Sequence, residues 1–359
     1  MSIPTTHAAA LLPSPKSRHQ VQDRNTPSLG PDEVLIKITA TAINPVDWKM
    51  RDKSVLLKTY PAVLGSDAAG EIAVVGAQVQ NFKPGDRVFF QGYIRSYDSC
   101  TFQKYCKMPA ALVGKTPSKI SDEEAAGVCL ATVAVITGAY DKTGQGITPP
   151  WDKGGESVGK GKAAVVLGGS SSVGQYAIQF ARLSGYERII TNSSASHREF
   201  LESLGATHVL DRSKATAADF KAAAGDLNVE YVQDAISSPE TQKFGVEILR
   251  QFNGGNVVIV QLVDEEAAEF GKADAKKVQI KQVMGLGSDP NLRYLSEPLM
   301  EALGGEDGWI AKGKFFPNRV QVVPGGLDAV DEALDMNKKG VSGVKLVIQP
   351  QVPVEVRLV

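Results

Sequence analysis

Hydrophobic and polar positions alternate over short stretches in the first third of the chain, which predicts strands. Residues 33–40 (EVLIKITA) alternate and are rich in β-branched side chains. The runs EIAVVG (71–76) and DRVFF (86–90) predict two more strands, separated by turn-forming residues such as Lys-Pro-Gly-Asp at 83–86. Several short strands at this spacing predict a small β-barrel or sandwich.

The pattern changes at residues 121–140 (SDEEAAGVCLATVAVITGAY), which predict one helix. Ser121 is placed to cap its N-terminus, and Glu124, three residues later, completes a capping box. A stretch rich in glycine and proline follows at 144–162 and predicts an exposed loop.

Strands and helices then alternate regularly. The predicted strands are 163–169, 188–194, 208–213, 230–237, 256–263 and 279–287. Helices are predicted at 173–185 and 196–206, with Gly185 and Gly205 at their ends. Alternation of this kind builds a parallel, doubly wound sheet, so the predicted fold class is α/β with a β-rich part beside that sheet.

Length and charge narrow the class of protein. A chain of 359 residues is too long for one compact core and suits roughly two domains. Its formal net charge of −1 excludes the basic balance of a nucleic-acid binder. No stretch approaches the ~20 apolar residues that span a bilayer. The three cysteines do not resemble a disulfide framework, which predicts a reducing, cytoplasmic location.

A Gly/Ser turn between a buried strand and a helix carries the main chemical signal, in VVLGGSSSVGQYAIQFA. Gly169, Ser171 and Gly174 stand at the three glycine positions of the dinucleotide fingerprint, with serine in the middle. We expect Gly169 to make the tight turn, Gly174 to let the helix pack closely, and Ser171 to be able to donate to a phosphate. The helix N-terminus then offers N–H groups to a pyrophosphate.

The second strand of this unit indicates which nicotinamide cofactor binds. An NAD site requires an acidic residue about 20 residues past the turn, whereas this strand ends in Ser193 and Ser194. His197 and Arg198 follow, and Arg212 lies at the end of the third strand. Hydroxyls and positive charge suit a 2′-phosphate, which predicts NADPH. The two serines can also cap the next helix, and Arg198 can be simply solvated.

The residues do not predict a metal site. A catalytic zinc needs three protein ligands, and the scattered cysteines and the four histidines show no ligand spacing. A reductase without a metal must transfer hydride to a substrate that is already electrophilic. An α,β-unsaturated carbonyl or a quinone fits this requirement.

Motifs along nearly the whole chain resemble the medium-chain dehydrogenase/reductase superfamily. They include ATAINPVDWKMRD, YPAVLGSDAAGEI, FKPGDRVFF, LGGSSSVGQYAIQFA and VSGVKLVI. NPVDWK, PPWDKGG and GGSSSVGQYAIQ are most similar to the zinc-free enoyl reductases that act in trans with fungal polyketide synthases, and quinone reductases of the zeta-crystallin type are more distant. The resemblance implies a GroES-like catalytic domain (1–127 and 316–359), a Rossmann domain (128–315) and an active site in the cleft.

The resemblance also implies roles for individual residues. Asn44 and the pair Ser66-Asp67 stand where zinc relatives have metal-site residues. It assigns the nicotinamide end to Asn44, Pro45 and Asp47, a contact with the ring to Thr132, and polarisation of a thioester carbonyl to Lys49. The alternatives are helix packing for Thr132 and a solvated surface position for Lys49.

The remaining implied contacts concern the cofactor. Pyrophosphate is expected at Gly169, Ser170, Ser171, Ser172, Val173 and Gly174. The 2′-phosphate positions match Ser193, Ser194 and His197, with Arg212 where many relatives have tyrosine. The loop at 285–289, including Leu286 and Gly287, and Lys345 near the chain end are expected to approach the nicotinamide and the cleft.

These residues predict an NADPH-dependent reductase that adds hydride to the β-carbon of an activated double bond and a proton to the α-carbon. Tyr60 and Tyr93 are candidate proton donors, with solvent as the alternative. The substrate is a small molecule or an enoyl group on a carrier, with a polyketide synthase as the partner in the second case. Two other functions stay open: quinone reduction, and cofactor binding without turnover. Monomer and homodimer are equally compatible with the sequence.

Overall fold

The computed structural model describes residues 3–273 and 277–352. Two compact units emerge from its contacts: the residues up to Leu130 together with those from Ser296 onward, and the segment Ala131–Leu295. The chain therefore returns to the first unit at Ser296, whereas the sequence placed this return at about residue 316. The side chains of Met300 and Cys129 explain the difference, because their sulfur atoms lie 3.9 Å apart within the first unit. Periodicity shows that a helix exists but not which core it joins.

The elements follow one another along the chain as short strands, then as alternating strands and helices. The strands are β1 (Thr6–Leu12), β2 (Gln20–Asn25), β3 (Glu33–Ala42), β4 (Ala62–Val63), β5 (Ala68–Val75), β6 (Arg87–Phe90), β7 (Tyr105–Pro109), β8 (Val113–Lys115), β9 (Lys162–Leu167), β10 (Arg188–Ser193), β11 (His208–Asp211), β12 (Asn228–Asp234), β13 (Gly255–Ile259), β14 (Val278–Gln282), β15 (Val320–Val322) and β16 (Lys345–Ile348). The helices are α1 (Pro45–Lys53), α2 (Asp122–Ala126), α3 (Cys129–Tyr140), α4 (Ser172–Leu183), α5 (Arg198–Leu204), α6 (Ala217–Ala224), α7 (Pro239–Arg250), α8 (Glu265–Lys272), α9 (Arg293–Leu303) and α10 (Val330–Lys339).

The first unit contains a mostly antiparallel sheet in the order β15-β16-β3-β5-β6-β8, with β7 also paired to β3. A small sheet, β2-β1-β4, lies in the same unit. The predicted strand at 33–40 is confirmed as β3, which continues to Ala42. Its alternation buries Val34, Ile36 and Ile38 in one apolar cluster, as a strand with one face on a core requires.

The end of the described chain pairs with the end of β3. Val347 of β16 stands opposite Ala42, and the backbone N–H of Ile43 donates to the carbonyl of Leu346 at 2.9 Å. This register places Lys345, the first residue of β16, beside the segment that leads into α1.

The second unit is a parallel sheet in the order β11-β10-β9-β12-β13-β14, which confirms the predicted doubly wound class. Its strands are rich in valine and isoleucine and form a buried core, as expected for strands covered on both faces. The strand order reverses between β9 and β12. In open parallel sheets, ligands bind outside the carboxyl ends of the strands at such a point.

The predicted helix at 121–140 is wrong as one element, because it is interrupted at Gly127 and Val128 between α2 and α3. The capping box is confirmed: the Ser121 hydroxyl accepts from the N–H of Glu124 at 3.2 Å, and the Glu124 carboxylate accepts from the N–H of Ser121 at 2.9 Å. By length and composition Asp122–Tyr140 is apolar enough to cross a membrane, contrary to the expectation that no stretch would be. Of its apolar window 83% is buried in the protein, as in the core helix of a globular unit.

Candidate functional site

The turn between β9 and α4 is shaped by three glycines. Gly168 has a left-handed φ of 75°, so the tight turn lies there and not at Gly169 as predicted from the fingerprint. Gly169 is required for a different reason, since a Cβ at this position would lie 2.2 Å from the Thr191 hydroxyl oxygen. A Cβ at Gly174 would lie 2.3 Å from the carbonyl oxygen of Gly168, which agrees with the close packing expected of the last glycine.

Ser171 is the N-cap of α4. Its hydroxyl accepts from the N–H of Gly174 at 3.1 Å and donates to the carbonyl of Gly168 at 2.8 Å. The hydroxyl proton is therefore donated within the turn, and donation from Ser171 to a phosphate stays a prediction. The backbone at Ser172 and Val173 begins the helix, where amide groups and the helix dipole favour an anion.

Asn192, at the end of β10, supports this turn and was missed by the sequence analysis. Its side-chain oxygen accepts from the N–H of Gly168 at 2.8 Å, and its backbone carbonyl accepts from the N–H of Gly169 at 3.1 Å. Asn192 thus fixes the two glycines at the start of the turn. The sequence signal that could have identified Asn192 is its position after a buried strand and directly before the serines predicted to bind a phosphate.

The predicted 2′-phosphate residues lie at the carboxyl ends of β10 and β11. The Ser194 hydroxyl is half-buried, His197 is largely buried, and Arg212 is exposed. The N–H of Arg212 donates to the carbonyl of Ser193 at 3.0 Å, which brings the two strand ends together. The Ser193 hydroxyl is shielded and lacks a hydrogen-bond partner among the described residues, so its contact with a phosphate requires a shift of its neighbours. Arg198 is exposed and approaches Glu202 at 3.8 Å, in keeping with the solvated alternative.

The loop after β14 packs on α3. A Cβ at Gly285 would lie 2.7 Å from backbone atoms of Ala134, so the loop backbone lies directly against this helix. The N–H of Leu286 donates to the carbonyl of Met284 at 2.9 Å, and Gly287 is buried beside it. Thr132 lies on the same helix and is fully buried. The structure therefore brings the predicted loop and the helix of Thr132 together within the second unit.

In the first unit, Asn44 and Asp47 organise the start of α1. The Asp47 carboxylate accepts from the backbone N–H of Asn44 at 2.8 Å and from the Ser66 hydroxyl at 3.0 Å. Pro45 occupies the first position of the helix, where its missing N–H has no consequence. Burial raises the pKa of Asp47 to about 7, against the lowering effect of these hydrogen bonds.

Lys345 reaches the same cluster from β16. Its Nζ donates to the Asn44 side-chain oxygen at 2.5 Å and lies 3.7 Å from Asp67 Oδ2. The other Asp67 oxygen accepts from the N–H of Leu130, in the first turn of α3, at 3.2 Å. Burial raises the pKa of Asp67 to about 7, against the Lys345 ammonium, and burial lowers the pKa of Lys345 against the two carboxylates. Lys345, expected to approach the nicotinamide and the cleft, lies buried against Asn44, which was expected at the nicotinamide end as well.

This cluster does not have the donor set of a zinc site. Zinc in proteins is held mainly by cysteine sulfur and histidine nitrogen, whereas Asn44, Ser66 and Asp67 offer only oxygen atoms and the amide nitrogen, beside a lysine ammonium. Within 3–273 and 277–352, no group of three or more histidine, cysteine, aspartate or glutamate side chains is arranged to hold a metal ion.

Lys49 lies half-buried on α1, with its Nζ 5.5 Å from the centre of the Trp48 ring. Burial, and to a lesser extent Lys53, lowers its pKa. Of the two candidate proton donors, Tyr60 has a buried hydroxyl with no hydrogen-bond partner in the described part of the chain. Tyr93 is half-buried, and its backbone N–H donates to the backbone carbonyl of Ser99 at 3.0 Å.

Two family profiles match the chain. Residues 30–118 match the alcohol dehydrogenase GroES-like domain, and residues 172–297 match the family described as zinc-binding dehydrogenase. The first lies in the first unit, and the second covers most of the parallel sheet.

Full-length relatives and solved structures are similar to this chain as well. Trans-enoyl reductase himH of Aspergillus japonicus is 32% identical over 333 residues, covering 88% of this chain and 89% of that protein. An alcohol dehydrogenase superfamily protein from Novosphingobium aromaticivorans has a TM-score of 0.74 at 22% identity, covering 96% of this chain and 99% of its own. The Escherichia coli quinone oxidoreductase, solved with NADPH, has a TM-score of 0.68 at 19% identity, covering 96% and 100%.

Proposed function

From the premise that this chain belongs to the medium-chain dehydrogenase/reductase superfamily of oxidoreductases, we propose that it reduces an activated carbon–carbon double bond with NADPH. The observation that carries the proposal is the similarity over nearly full length to a protein named as a trans-enoyl reductase. The geometry of the second unit supports a nicotinamide cofactor. The oxygen-lined cluster of the first unit, which does not suit zinc, supports a substrate that is electrophilic without a metal.

The cofactor would lie along the carboxyl edge of the parallel sheet. The backbone from Gly168 to Val173 would hold the pyrophosphate, because the turn has no room for larger side chains and ends in the N-terminus of α4. The 2′-phosphate would be held by Ser194, His197 and Arg212, with Ser193 behind them. No carboxylate side chain stands at the end of β10, where it would repel a phosphate.

When bound, NADPH supplies a hydride for the β-carbon of the enoyl group. The residues of this chain then handle the negative charge and the proton. The Lys49 ammonium would hydrogen-bond the carbonyl oxygen, on which charge develops as the β-carbon accepts hydride. Its lowered pKa makes it a stronger proton donor than an ordinary lysine. A proton delivered to the α-carbon from Tyr60, Tyr93 or solvent completes the saturated product.

The proposal also covers the partner protein and the location in the cell. If the enoyl group is a thioester on a carrier, the partner that presents it is a polyketide synthase. A cytoplasmic location agrees with Cys100, Cys106 and Cys129, which are all buried and free thiols. Quinone reduction is the second candidate, and it has the fold likeness to a quinone oxidoreductase as support.

The test follows NADPH oxidation with enoyl thioesters, simple enones and quinones, with NADH in parallel. Lys49→Met is compared with Lys53→Met, a matched control, because Lys53 is exposed on the same helix and its Nζ lies 5.8 Å from the same Trp48 ring. We expect Lys49→Met to lower kcat/KM for enoyl thioesters about a hundredfold with unchanged NADPH affinity. We expect Lys53→Met to behave like the wild type.

Other outcomes separate the alternatives. Equal rates for Lys49→Met and the wild type would remove Lys49 from the mechanism. Turnover of quinones alone would favour the second candidate. Tight NADPH binding without turnover of any substrate in the panel, free or carrier-bound, would leave a cofactor-binding protein.

A further inference from the structure

Two acids and one lysine share a buried cluster in the first unit, here called the buried centre. Its members are Asn44, Asp47, Ser66, Asp67 and Lys345, and each is at most 4% exposed. Two carboxyl groups and one ammonium are therefore removed from water together. Charges buried in this way are costly unless each has a close partner of opposite sign or hydrogen-bond donors.

The Lys345 ammonium lies against the oxygen atoms of this cluster that could hold a cation. Its Nζ lies 2.5 Å from the Asn44 side-chain oxygen and 3.7 Å from Asp67 Oδ2. Amide and carboxylate oxygens are ligands of hard divalent cations, at about 2.0–2.6 Å. An ion bound to the Asn44 oxygen at such a distance would overlap the ammonium. The two cations are therefore mutually exclusive.

The fold provides a route for the lysine side chain. The break between α2 and α3 falls at Gly127, and a Cβ there would lie 2.8 Å from Lys345 Cγ and 3.4 Å from Cε. A residue with a side chain at this position would displace the lysine stem. The register of β16 on β3 fixes the other end of the stem. Lys345 is thus held by the backbone on two sides.

We propose that the Lys345 ammonium is the resident cation of the buried centre, where it balances carboxylate charge and excludes a divalent metal ion. This inference rests on the first unit alone and holds whichever substrate the enzyme reduces. The carboxylate that it balances is that of Asp67, 3.7 Å away.

The first test measures Mn²⁺ uptake by equilibrium dialysis and electron paramagnetic resonance on the purified full-length protein. Lys345→Ala removes the ammonium and its volume, and Lys345→Met removes the charge but keeps a side chain of similar length. We expect about one Mn²⁺ per chain in Lys345→Ala, and none in the wild type or Lys345→Met. Adding Asp67→Asn to Lys345→Ala should abolish uptake. Uptake by the wild type that depends on Asp67, or none by folded Lys345→Ala, would overturn the proposal.

The second test uses stability and does not require Lys345→Ala to fold. Urea midpoints are compared for Lys345→Met, Asp67→Asn and the double variant. If the ammonium balances Asp67, Lys345→Met leaves a buried carboxylate without its counter-charge, and Asp67→Asn should raise its midpoint or restore folding. A double variant that is less stable than either single variant would show that Lys345 only fills space, and the proposal would be wrong.

Discussion

The side-chain oxygen of Asn192 accepts a hydrogen bond from the backbone N–H of Gly168 at 2.8 Å. This bond joins the end of one parallel strand to the turn that follows its neighbour. Gly168 is the residue with left-handed backbone in the turn, so the bond acts on the position where the chain direction changes. Together with the bond from Gly169 to the Asn192 carbonyl, it holds the turn in the shape proposed to receive a pyrophosphate.

Asn192→Ala should weaken NADPH binding about tenfold, because the N–H of Gly168 loses its acceptor and the turn loosens. Fluorescence titration with NADPH measures the change. Asn192→Asp is the matched control. It keeps an acceptor for Gly168, and we expect a melting temperature near that of the wild type, but its negative charge should weaken binding of a phosphate-bearing cofactor. Unchanged NADPH affinity in Asn192→Ala would contradict the role given to this bond.

Arg212→Gln should reduce the preference for NADPH over NADH. Arg212 is exposed after β11, and a guanidinium at this place can form charge-assisted hydrogen bonds with a 2′-phosphate. We expect the NADPH dissociation constant to rise about tenfold, with little change for NADH, since such bonds contribute about 1.5–3 kcal/mol. Lys214→Gln removes another exposed cation nearby, one that lies 3.8 Å from Asp211, and should change neither constant. Equal losses for both cofactors would place Arg212 outside the 2′-phosphate site.

The turn between β9 and α4 shows which features local sequence pattern can predict. A buried strand, a Gly/Ser run and a helix located the turn correctly, because these three features are adjacent in sequence. The assignment of the tight turn to Gly169 was wrong, since Gly168 and Gly169 are neighbours and only their surroundings separate their roles. Thr191 crowds Gly169, and Thr191 belongs to the next strand.

The buried centre could not be predicted from local sequence pattern. Lys345 and Asn44 are 301 residues apart, and they meet because β16 pairs with the end of β3. The hydrophobic periodicity of either segment alone does not predict which residues of the two strands pair. Likewise, the pattern at 121–140 predicts one helix, and the break at Gly127 and Val128 lies where the lysine stem passes.

Asp331→Asn should destabilise the first unit more than Asp335→Asn does. The buried guanidinium of Arg51 lies 3.0 Å from Asp331 and 2.6 Å from Asp335, and Asp331 also accepts from the His19 ring at 2.9 Å. Asp331 is the more buried acid, and its loss removes a counter-charge of Arg51 and an acceptor of the His19 ring. We expect about 2–3 kcal/mol for Asp331→Asn and below about 1 kcal/mol for the more exposed Asp335→Asn. Urea unfolding at neutral pH measures both.

The lowered pKa of Asp331 predicts how the stability of the protein changes at low pH. Burial raises the pKa of Asp331, but hydrogen bonds from His19 and Arg51 outweigh this effect and lower it to about 2. A lowered folded-state pKa stabilises the protein above the unfolded-state value of 3.8, and that stability is lost as pH falls toward 2. Asp331→Asn should therefore lose less stability than the wild type over this range. Parallel curves for the two proteins would show that Asp331 is not the acid that titrates.

The raised pKa of Asp47 predicts that stability depends on pH with the opposite sign. Burial raises its folded-state pKa from 3.8 to about 7, so the folded protein binds a proton that the unfolded chain releases. Stability is then fully present below about pH 4 and declines as pH rises toward 7, by up to about 1.4 kcal/mol per pH unit. Asp47→Asn keeps an acceptor for the N–H of Asn44 and should make this decline shallower, with Asp67 supplying the remainder. Urea unfolding from pH 4 to 8 measures the slopes, with Glu265→Gln as an exposed control. Equal slopes in the wild type and Asp47→Asn would mean that the Asp47 carboxylate stays ionised in the folded protein, with the Lys345 ammonium as its counter-charge.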